Sequence, residues 1–323
     1  MQPSPGQQDQ SAAGPDTTIR VNIDLVNILF TVRSKHGGQL IPNLTKDDFK
    51  IYEDGKQQTI QRFSRDTDLP LTLGLLIDIS ASQENLIDIE RQAASAFFSS
   101  VIRPKDEAFL ISFGKSTDLI QDYTSSPRQL TAALQDLRGD GQSPMLGRGP
   151  IPNVNTGPIP TSGTPKGTLL FDAVYLASNE KLKNEVGRKA LVLITDGDDQ
   201  GSFYNRKAAI EAAQRADAMI YSIYYVDRYF YLSAGMIGSG GEGDLRKMSD
   251  DTGGHVFSVG SKHPLSEIFK EIQEEMRNQY SLGYVSTNPQ RDGTFRRIEI
   301  KTKQNEYRVQ ARNGYYATPN DVR

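Results

Sequence analysis

The sequence predicts an α/β fold, a mostly parallel sheet with helices on both faces, inserted into a small β-sandwich-like domain that both chain ends form. Across residues 69–275, apolar runs of strand length alternate with amphipathic helical segments, which is the pattern of a parallel sheet. Residues 18–63 and 280–311 show strand patterns instead. Neither end has enough strands for a stable sheet of its own, so we expect the two ends to complete one domain.

Each element of the central part has its own local pattern. The expected strands are the apolar runs 71–77, 108–113, 190–195 and 219–225. The expected helices are the amphipathic segments 83–101, 127–137, 169–182, 205–216 and 264–277. Because parallel sheets place their sites at the carboxyl ends of strands, functional residues are expected where these strands end.

The β-rich ends are predicted from shorter runs. The turn Asp54-Gly55 predicts a hairpin between strands 48–53 and 58–63, since glycine tolerates the positive φ of such a turn. Strands are also expected at 280–284, 295–303 and 306–311. The expected division is a disordered N-terminal segment (1–17), the β domain's first part (18–66), the α/β domain (67–277), the β domain's second part (278–318) and a tail (319–323).

Composition excludes several classes of site. The chain of 323 residues is 37% hydrophobic, which is enough for a substantial core, and it has no cysteine. A disulfide scaffold, a cysteine zinc site, an iron–sulfur cluster and a thiol nucleophile are therefore excluded. Three histidines leave little material for a histidine metal site or a Ser-His-Asp triad. The net charge of −3 gives no indication of a nucleic-acid partner.

No run of the sequence reaches the roughly 18–20 apolar residues of a membrane span. Residues 2–16 are polar and rich in proline, glutamine and glycine, so we expect them to be disordered. No signal peptide is visible in this chain. This segment is either a mature N-terminus left after cleavage or a flexible tail, and the sequence does not decide between the two.

Polar residues follow two of the apolar strands and precede one helix. Asp78-Ile79-Ser80-Ala81-Ser82 ends the first strand, Thr195-Asp196-Gly197 ends a later one, and Gly167-Thr168 stands before a helix. One or two carboxylates with hydroxyls and water form an all-oxygen shell, which suits Mg²⁺, Mn²⁺ or Ca²⁺ and is untypical of zinc. Few protein charges would neutralise such a cation, so a carboxylate from a partner could complete its coordination.

These three segments resemble the metal-ion-dependent adhesion site (MIDAS) of von Willebrand factor A (VWA) domains, and they come in that family's order. The resemblance implies a doubly wound, Rossmann-like sheet and an acidic ligand group bound to the metal. It also implies the direct or water-mediated metal ligands, which are Asp78, Ser80, Ser82, Thr168 and Asp196. One departure is Lys166-Gly167-Thr168, where the family often has two glycines before the threonine. Thr164 is the alternative to Thr168.

The flanking segments resemble a bacterial family of secreted VWA-related proteins. The resemblance lies in Leu44–Phe49, Tyr52–Gly55, Tyr280–Tyr284 and Arg312–Tyr316, and with these it covers roughly residues 20–317. It implies an extracytoplasmic location, secreted or periplasmic.

The leading hypothesis is a non-enzymatic protein-binding module in which a bound Mg²⁺, or Mn²⁺ or Ca²⁺, coordinates an Asp or Glu of a partner protein. The loops 139–167 and 226–243 are expected to rim the site and to contribute ligand-binding residues, namely Lys166, Tyr229, Phe230 and Tyr231. Two alternatives remain. One is a scaffold protein with a non-functional metal site. The other is a Mg²⁺-dependent phosphatase-like enzyme, which normally needs a second acid where this chain has Ser80.

Overall fold

The computed structural model describes residues 25–65, 69–140, 167–233 and 241–317. Its strands are β1 (Leu25–Ser34), β2 (Phe49–Glu53), β3 (Lys56–Gln58), β4 (Ile60–Arg65), β5 (Leu71–Asp78), β6 (Glu107–Phe113), β7 (Thr117–Thr124), β8 (Arg188–Thr195), β9 (Ala218–Tyr224), β10 (Val256–Ser258), β11 (Tyr280–Val285), β12 (Phe295–Thr302), β13 (Tyr307–Ala311) and β14 (Gly314–Tyr316). Its helices are α1 (Ile87–Val101), α2 (Pro127–Gln135), α3 (Leu170–Leu176, with a π-helical turn Ala177–Leu182), α4 (Arg206–Arg215), α5 (Arg228–Ser233), α6 (Glu242–Thr252) and α7 (Leu265–Arg277).

The central sheet has the order β10-β9-β8-β5-β6-β7, and its neighbouring strands are parallel except for the β6–β7 pair. Strands β5 and β8 are buried along their whole length because both faces of the sheet are covered. Helices α1, α2 and α7 contribute to the core on one face, and α3, α4 and α6 to the core on the other. The expected doubly wound, mostly parallel fold is therefore confirmed.

The chain ends form two antiparallel sheets, of order β13-β1-β11-β4 and β14-β12-β2-β3. An aromatic cluster is part of the hydrophobic core that they share: the Phe30 and Tyr280 rings stack at 5.4 Å, and Phe49 meets Phe30 edge-on at 5.1 Å. Residues from both ends thus complete one core, as expected. The exact boundaries at 18–66 and 278–318 stay a proposal. The expected disordered segment 1–17 and tail 319–323 lie outside the described residues.

The predicted hairpin is shorter in the structure. Asp54 and Gly55 have the positive φ angles of a tight turn, 46° and 80°. The returning part of the hairpin pairs with β2 only over Lys56–Gln58, because the chain then passes to the other sheet, where β4 pairs with β11.

Four elements of the central part were not predicted. Strand β10 is only three residues long, and β7 is a half-exposed edge strand, so neither has the continuous apolar run of a buried strand. Helices α5 and α6 begin inside residues 226–243, which the aromatic and glycine-rich composition predicts as a loop. The polar residues at the ends of the buried strands β5 and β8 nonetheless lie at one edge of the sheet, as expected.

Candidate functional site

Three loops at the carboxyl edge of the central sheet carry the polar residues of the motif. Strands β5 and β8 are parallel neighbours, with Ile77 paired to Ile194, so the segments that follow them meet. Asp78 ends β5, and Asp196 follows β8 directly. Thr168 lies two residues before α3. The topology therefore brings the three motif segments to one place.

Asp78 is completely buried, and both of its carboxylate oxygens accept hydrogen bonds. Thr195 Oγ1 donates to Oδ2 at 2.6 Å, and the Ser80 backbone N–H donates to Oδ1 at 2.9 Å. Burial, and after it the nearby carboxylate of Asp196, raises the pKa of Asp78 to about 7. Two acids thus share a buried site that disfavours two negative charges, and a bound cation would relieve that repulsion.

The two serines connect the first loop to Asp196. The hydroxyl oxygens of Ser80 and Ser82 lie 3.1 Å apart, and Ser82 Oγ donates to Asp196 Oδ2 at 2.6 Å. Asp196 Oδ1 accepts from the backbone N–H of Asp198 at 3.1 Å. Four of the five expected ligands, Asp78, Ser80, Ser82 and Asp196, therefore form one hydrogen-bonded cluster.

Thr168 is buried beside this cluster and is held through its backbone. Its carbonyl accepts from the Gln200 N–H at 3.0 Å, and the next residue, Leu169, donates to the Gly114 carbonyl at 3.0 Å. A Cβ on Gly167 would lie 2.3 Å from Cβ of Gln200, so glycine is needed for this close approach. Within the described ranges, no hydrogen bond joins the Thr168 hydroxyl to the other four expected ligands. Thr164, the alternative, lies outside those ranges.

The loop that carries Asp196 packs tightly against the start of α6. Gly197 has a φ of +79°, which favours glycine. A Cβ on Gly241 would lie 2.1 Å from the carbonyl carbon of Gly197 and 2.5 Å from the carbonyl oxygen of Asp196. These atoms belong to the backbone and cannot move away by a rotamer change, as side-chain atoms can.

We therefore expect Gly241→Ala to lower the free energy of unfolding by about 1–3 kcal/mol, measured by chemical denaturation. Gly243→Ala is the matched control, because nothing lies within 4 Å of its Cβ position and it lies inside α6. Equal stability of the two variants would contradict the close packing of the Asp196 loop.

A third acid lies buried beneath the site. Glu90 on α1 is fully buried, and neither of its carboxylate oxygens has a hydrogen-bond partner within the described part of the chain. Burial, and then the charges of Asp78 and Asp196, raise the pKa of Glu90 well above its ordinary value. Among the described residues, no lysine or arginine forms an ion pair with any of these three acids. Within the described ranges, the three acids thus lie close together without a basic partner.

The residues expected at the rim differ in how far they are exposed. Tyr229 is exposed and Phe230 is half-buried, as a rim requires, whereas Tyr231 is buried and its hydroxyl donates to Asp196 Oδ2 at 2.7 Å. Burial and this hydrogen bond raise the pKa of Tyr231, so the phenol stays protonated and donates. Tyr231 is therefore part of the site's interior. Lys166 lies outside the described residues.

Sequence reasoning missed three contributors to the site. Thr195 belongs to a motif segment but was not expected to contribute, and Gln83 directly follows another. Each donates a hydrogen bond to one of the site's acids. Glu90 had a clear signal, because it lies three residues after buried Ile87 and four before buried Ala94, on the core side of the helical period. An acid at a core position of an amphipathic helix indicates a special environment.

The donor set fits a hard divalent cation. Carboxylate and hydroxyl oxygens converge at a strand edge, which is the kind of ligand set that such a cation prefers. No cluster of three or more His, Cys, Asp or Glu that could hold a metal was found in the described ranges. The motif instead combines two carboxylates with serine hydroxyls.

No family model matches the sequence, and no curated protein matches it. Solved structures resemble the fold at low identity. An aerotolerance-related membrane protein from Bacteroides fragilis is 16% identical over 64% of this chain and 98% of its own, with a TM-score of 0.45. The SpRpn10 VWA domain is 17% identical over 63% of this chain and 95% of its own, with a TM-score of 0.40.

A third likeness is to proximal thread matrix protein 1 from the mussel byssus, solved with a zinc-occupied MIDAS motif. It is 15% identical over 68% of this chain and 48% of its own, with a TM-score of 0.48. At such identities a likeness concerns the fold alone. The order of the central strands and the meeting of the three motif segments at one edge agree with the VWA fold that the sequence resembles.

Proposed function

We propose that this protein is a non-enzymatic binding module of the VWA type, whose site holds a divalent cation that coordinates an Asp or Glu of a partner protein. The single observation that carries the proposal is the cluster of Asp78, Ser80, Ser82 and Asp196 at the carboxyl edge of the sheet. Thr168 lies beside this cluster and is proposed as the fifth ligand, directly or through water.

The charges of the site support a cation. Asp78 and Asp196 are buried side by side, and Glu90 is buried beneath them without a hydrogen-bond partner among the described residues. Buried carboxylates are costly unless a proton, a cation or hydrogen bonds compensate them. A divalent cation bound by one or two carboxylates keeps a net positive charge, and a carboxylate from a partner would neutralise it.

Mg²⁺ is the cation proposed first, because oxygen ligands with retained water are its usual environment. Zinc should be tested beside Mg²⁺ as a competing cation, since the similar mussel protein carries zinc in its motif. An extracytoplasmic location is part of the proposal and rests on the resemblance of the flanking segments. The structure has no helix, within the residues it describes, that is long and apolar enough to cross a membrane.

The phosphatase alternative finds little support in the site. Such an enzyme needs a second acid two residues after the nucleophilic aspartate, and this chain has Ser80 there, 3.1 Å from Ser82 Oγ. A scaffold with a non-functional site remains the competing proposal, and it predicts no effect of cations on binding.

A peptide array tests the proposed function directly. The array carries short peptides with a central Asp or Glu, and each has a twin in which Asn or Gln replaces the acid. We expect Mg²⁺-dependent binding to some acidic peptides, loss of binding to their amide twins, and loss with a chelator or with Asp78→Ala. Binding that survives the chelator, or that does not distinguish acids from amides, would remove the metal–carboxylate contact from the mechanism.

A further inference from the structure

One oxygen of the proposed site is already saturated with hydrogen-bond donors. Asp196 Oδ2 accepts from Ser82 Oγ at 2.6 Å, from Tyr231 OH at 2.7 Å and from Gln83 Nε2 at 3.1 Å. A carboxylate oxygen offers about two lone-pair directions, so three donors occupy it fully. A cation could approach this oxygen only after at least one donor withdraws.

Tyr231 reaches this oxygen from a helix with its own anchor. The carboxylate of Asp227 accepts from the backbone N–H groups of Tyr229 and Phe230 at 2.9 and 3.1 Å, and so caps the start of α5. Asn85, in the segment between the serines and α1, donates to the other oxygen of Asp227 at 2.7 Å. Tyr231 therefore connects α5 to the loop of Asp196, and Asn85 connects the capping residue of α5 to the loop that carries Ser80 and Ser82.

The other two donors differ from Tyr231 in where they come from. Ser82 and Gln83 belong to the motif loop itself, whereas Tyr231 belongs to a separate short surface helix. That helix also carries Tyr229 and Leu232, which are 78% and 79% exposed. A change in the Tyr231 contact would thus change the surface beside the site.

We propose that Tyr231 is a latch on the site, whose hydroxyl competes with the cation for Asp196 Oδ2, so that cation binding releases α5. The inference rests on the proposed cation-binding function and adds a means of regulating it. Loading of the cation then frees Asp196 and moves the exposed side chains of α5 at the same time. A partner would meet a different surface in the loaded protein.

Calorimetric titration with Mg²⁺ tests the competition. We expect Tyr231→Phe to bind Mg²⁺ about tenfold more tightly than the wild type, since a hydrogen bond to a charged group no longer has to be broken. Tyr52→Phe makes the same chemical change on β2, which belongs to a sheet of the chain ends and not to the central sheet, and is expected to match the wild type. Equal or weaker binding by Tyr231→Phe would overturn the latch.

A second variant keeps the test decisive if Tyr231→Phe does not fold. Asn85→Ala removes the donor to Asp227 and loosens the anchor of α5, while Tyr231 and Asp196 stay intact. We expect a smaller gain in Mg²⁺ affinity, in the same direction. Affinity that is unchanged or reduced would count against the latch.

Movement of α5 can be followed by fluorescence because the chain has no tryptophan. Tyr229→Trp places a single reporter on the exposed face of α5. We expect saturating Mg²⁺ to shift its emission, and the metal-free spectrum of Tyr229→Trp combined with Tyr231→Phe to resemble the Mg²⁺-loaded one already. Emission that stays the same when calorimetry shows saturation would overturn the release of α5.

The outcomes separate the latch from the function on which it rests. If the wild type binds Mg²⁺ and Tyr231→Phe binds it no more tightly, the latch alone is wrong. If neither protein binds Mg²⁺, both the cation site and the latch are wrong. Binding by Tyr231→Phe alone would be the strongest support for both.

Discussion

Replacing Asp78 with asparagine is expected to abolish the stabilisation of this protein by Mg²⁺. A cation that binds only the folded state raises the free energy of unfolding by about 2.7 kcal/mol when its concentration is 100 times its dissociation constant. Asp78 is buried and is held by Thr195 and Ser80, so asparagine keeps the shape of the side chain but lacks the charge. Thermal unfolding with and without Mg²⁺ measures the difference.

The same variant should be more stable than the wild type in a chelator near neutral pH, because burial and Asp196 raise the pKa of Asp78 to about 7. Asp198→Asn is the matched control, since its carboxylate accepts from Gln200 Nε2 and its side chain is not part of the cluster. A Mg²⁺ response that persists in Asp78→Asn would contradict the proposed ligand set.

Replacing Glu90 with glutamine is expected to stabilise the metal-free protein at alkaline pH. Burial and the nearby acids raise the pKa of folded Glu90 well above the ordinary value of 4.5. Between these two pKa values the folded protein holds a proton that the unfolded chain has released, so stability falls as the pH rises. The fall is about 1.4 kcal/mol for each pH unit in this window, and the glutamine variant lacks it.

Denaturant unfolding in a chelator at a series of pH values measures this effect. Wild type and Glu90→Gln should have similar stability near the ordinary pKa, where the folded-state carboxyl is neutral, and should diverge as the pH rises. Glu107→Gln, at an exposed position at the start of β6, should follow the wild type throughout. Parallel curves for Glu90→Gln and the wild type would show that Glu90 is not a buried carboxyl of this kind.

The sequence predicts most of the site because it depends on local patterns. An apolar run fixes a buried strand, and the polar residues that end such a run must lie at the sheet edge. The sequence places Asp78 and Asp196 at the same sheet edge, and the structure adds that the strands before them, β5 and β8, are neighbours. The residue types then determine the chemistry of the cluster.

What the sequence does not predict depends on contacts between distant segments. The hydrogen bond from Tyr231 to Asp196 depends on α5, a helix of six residues that is too short to show a helical period in the sequence. The orphaned state of Glu90 requires knowing which groups face it, although its place on the buried side of α1 was visible. Local spacing predicts candidate ligands, whereas packing between elements determines which distant side chains form hydrogen bonds with them.

Anomalous X-ray scattering from crystals grown with Mn²⁺ tests the central claim most directly. Mn²⁺ prefers the same oxygen ligands as Mg²⁺ and scatters anomalously at accessible wavelengths. We predict a difference peak at the sheet edge, within coordination distance of the side chains of Ser80 and Ser82 and close to Asp78. Crystals that contain Mn²⁺ but show no peak at this cluster would contradict the account.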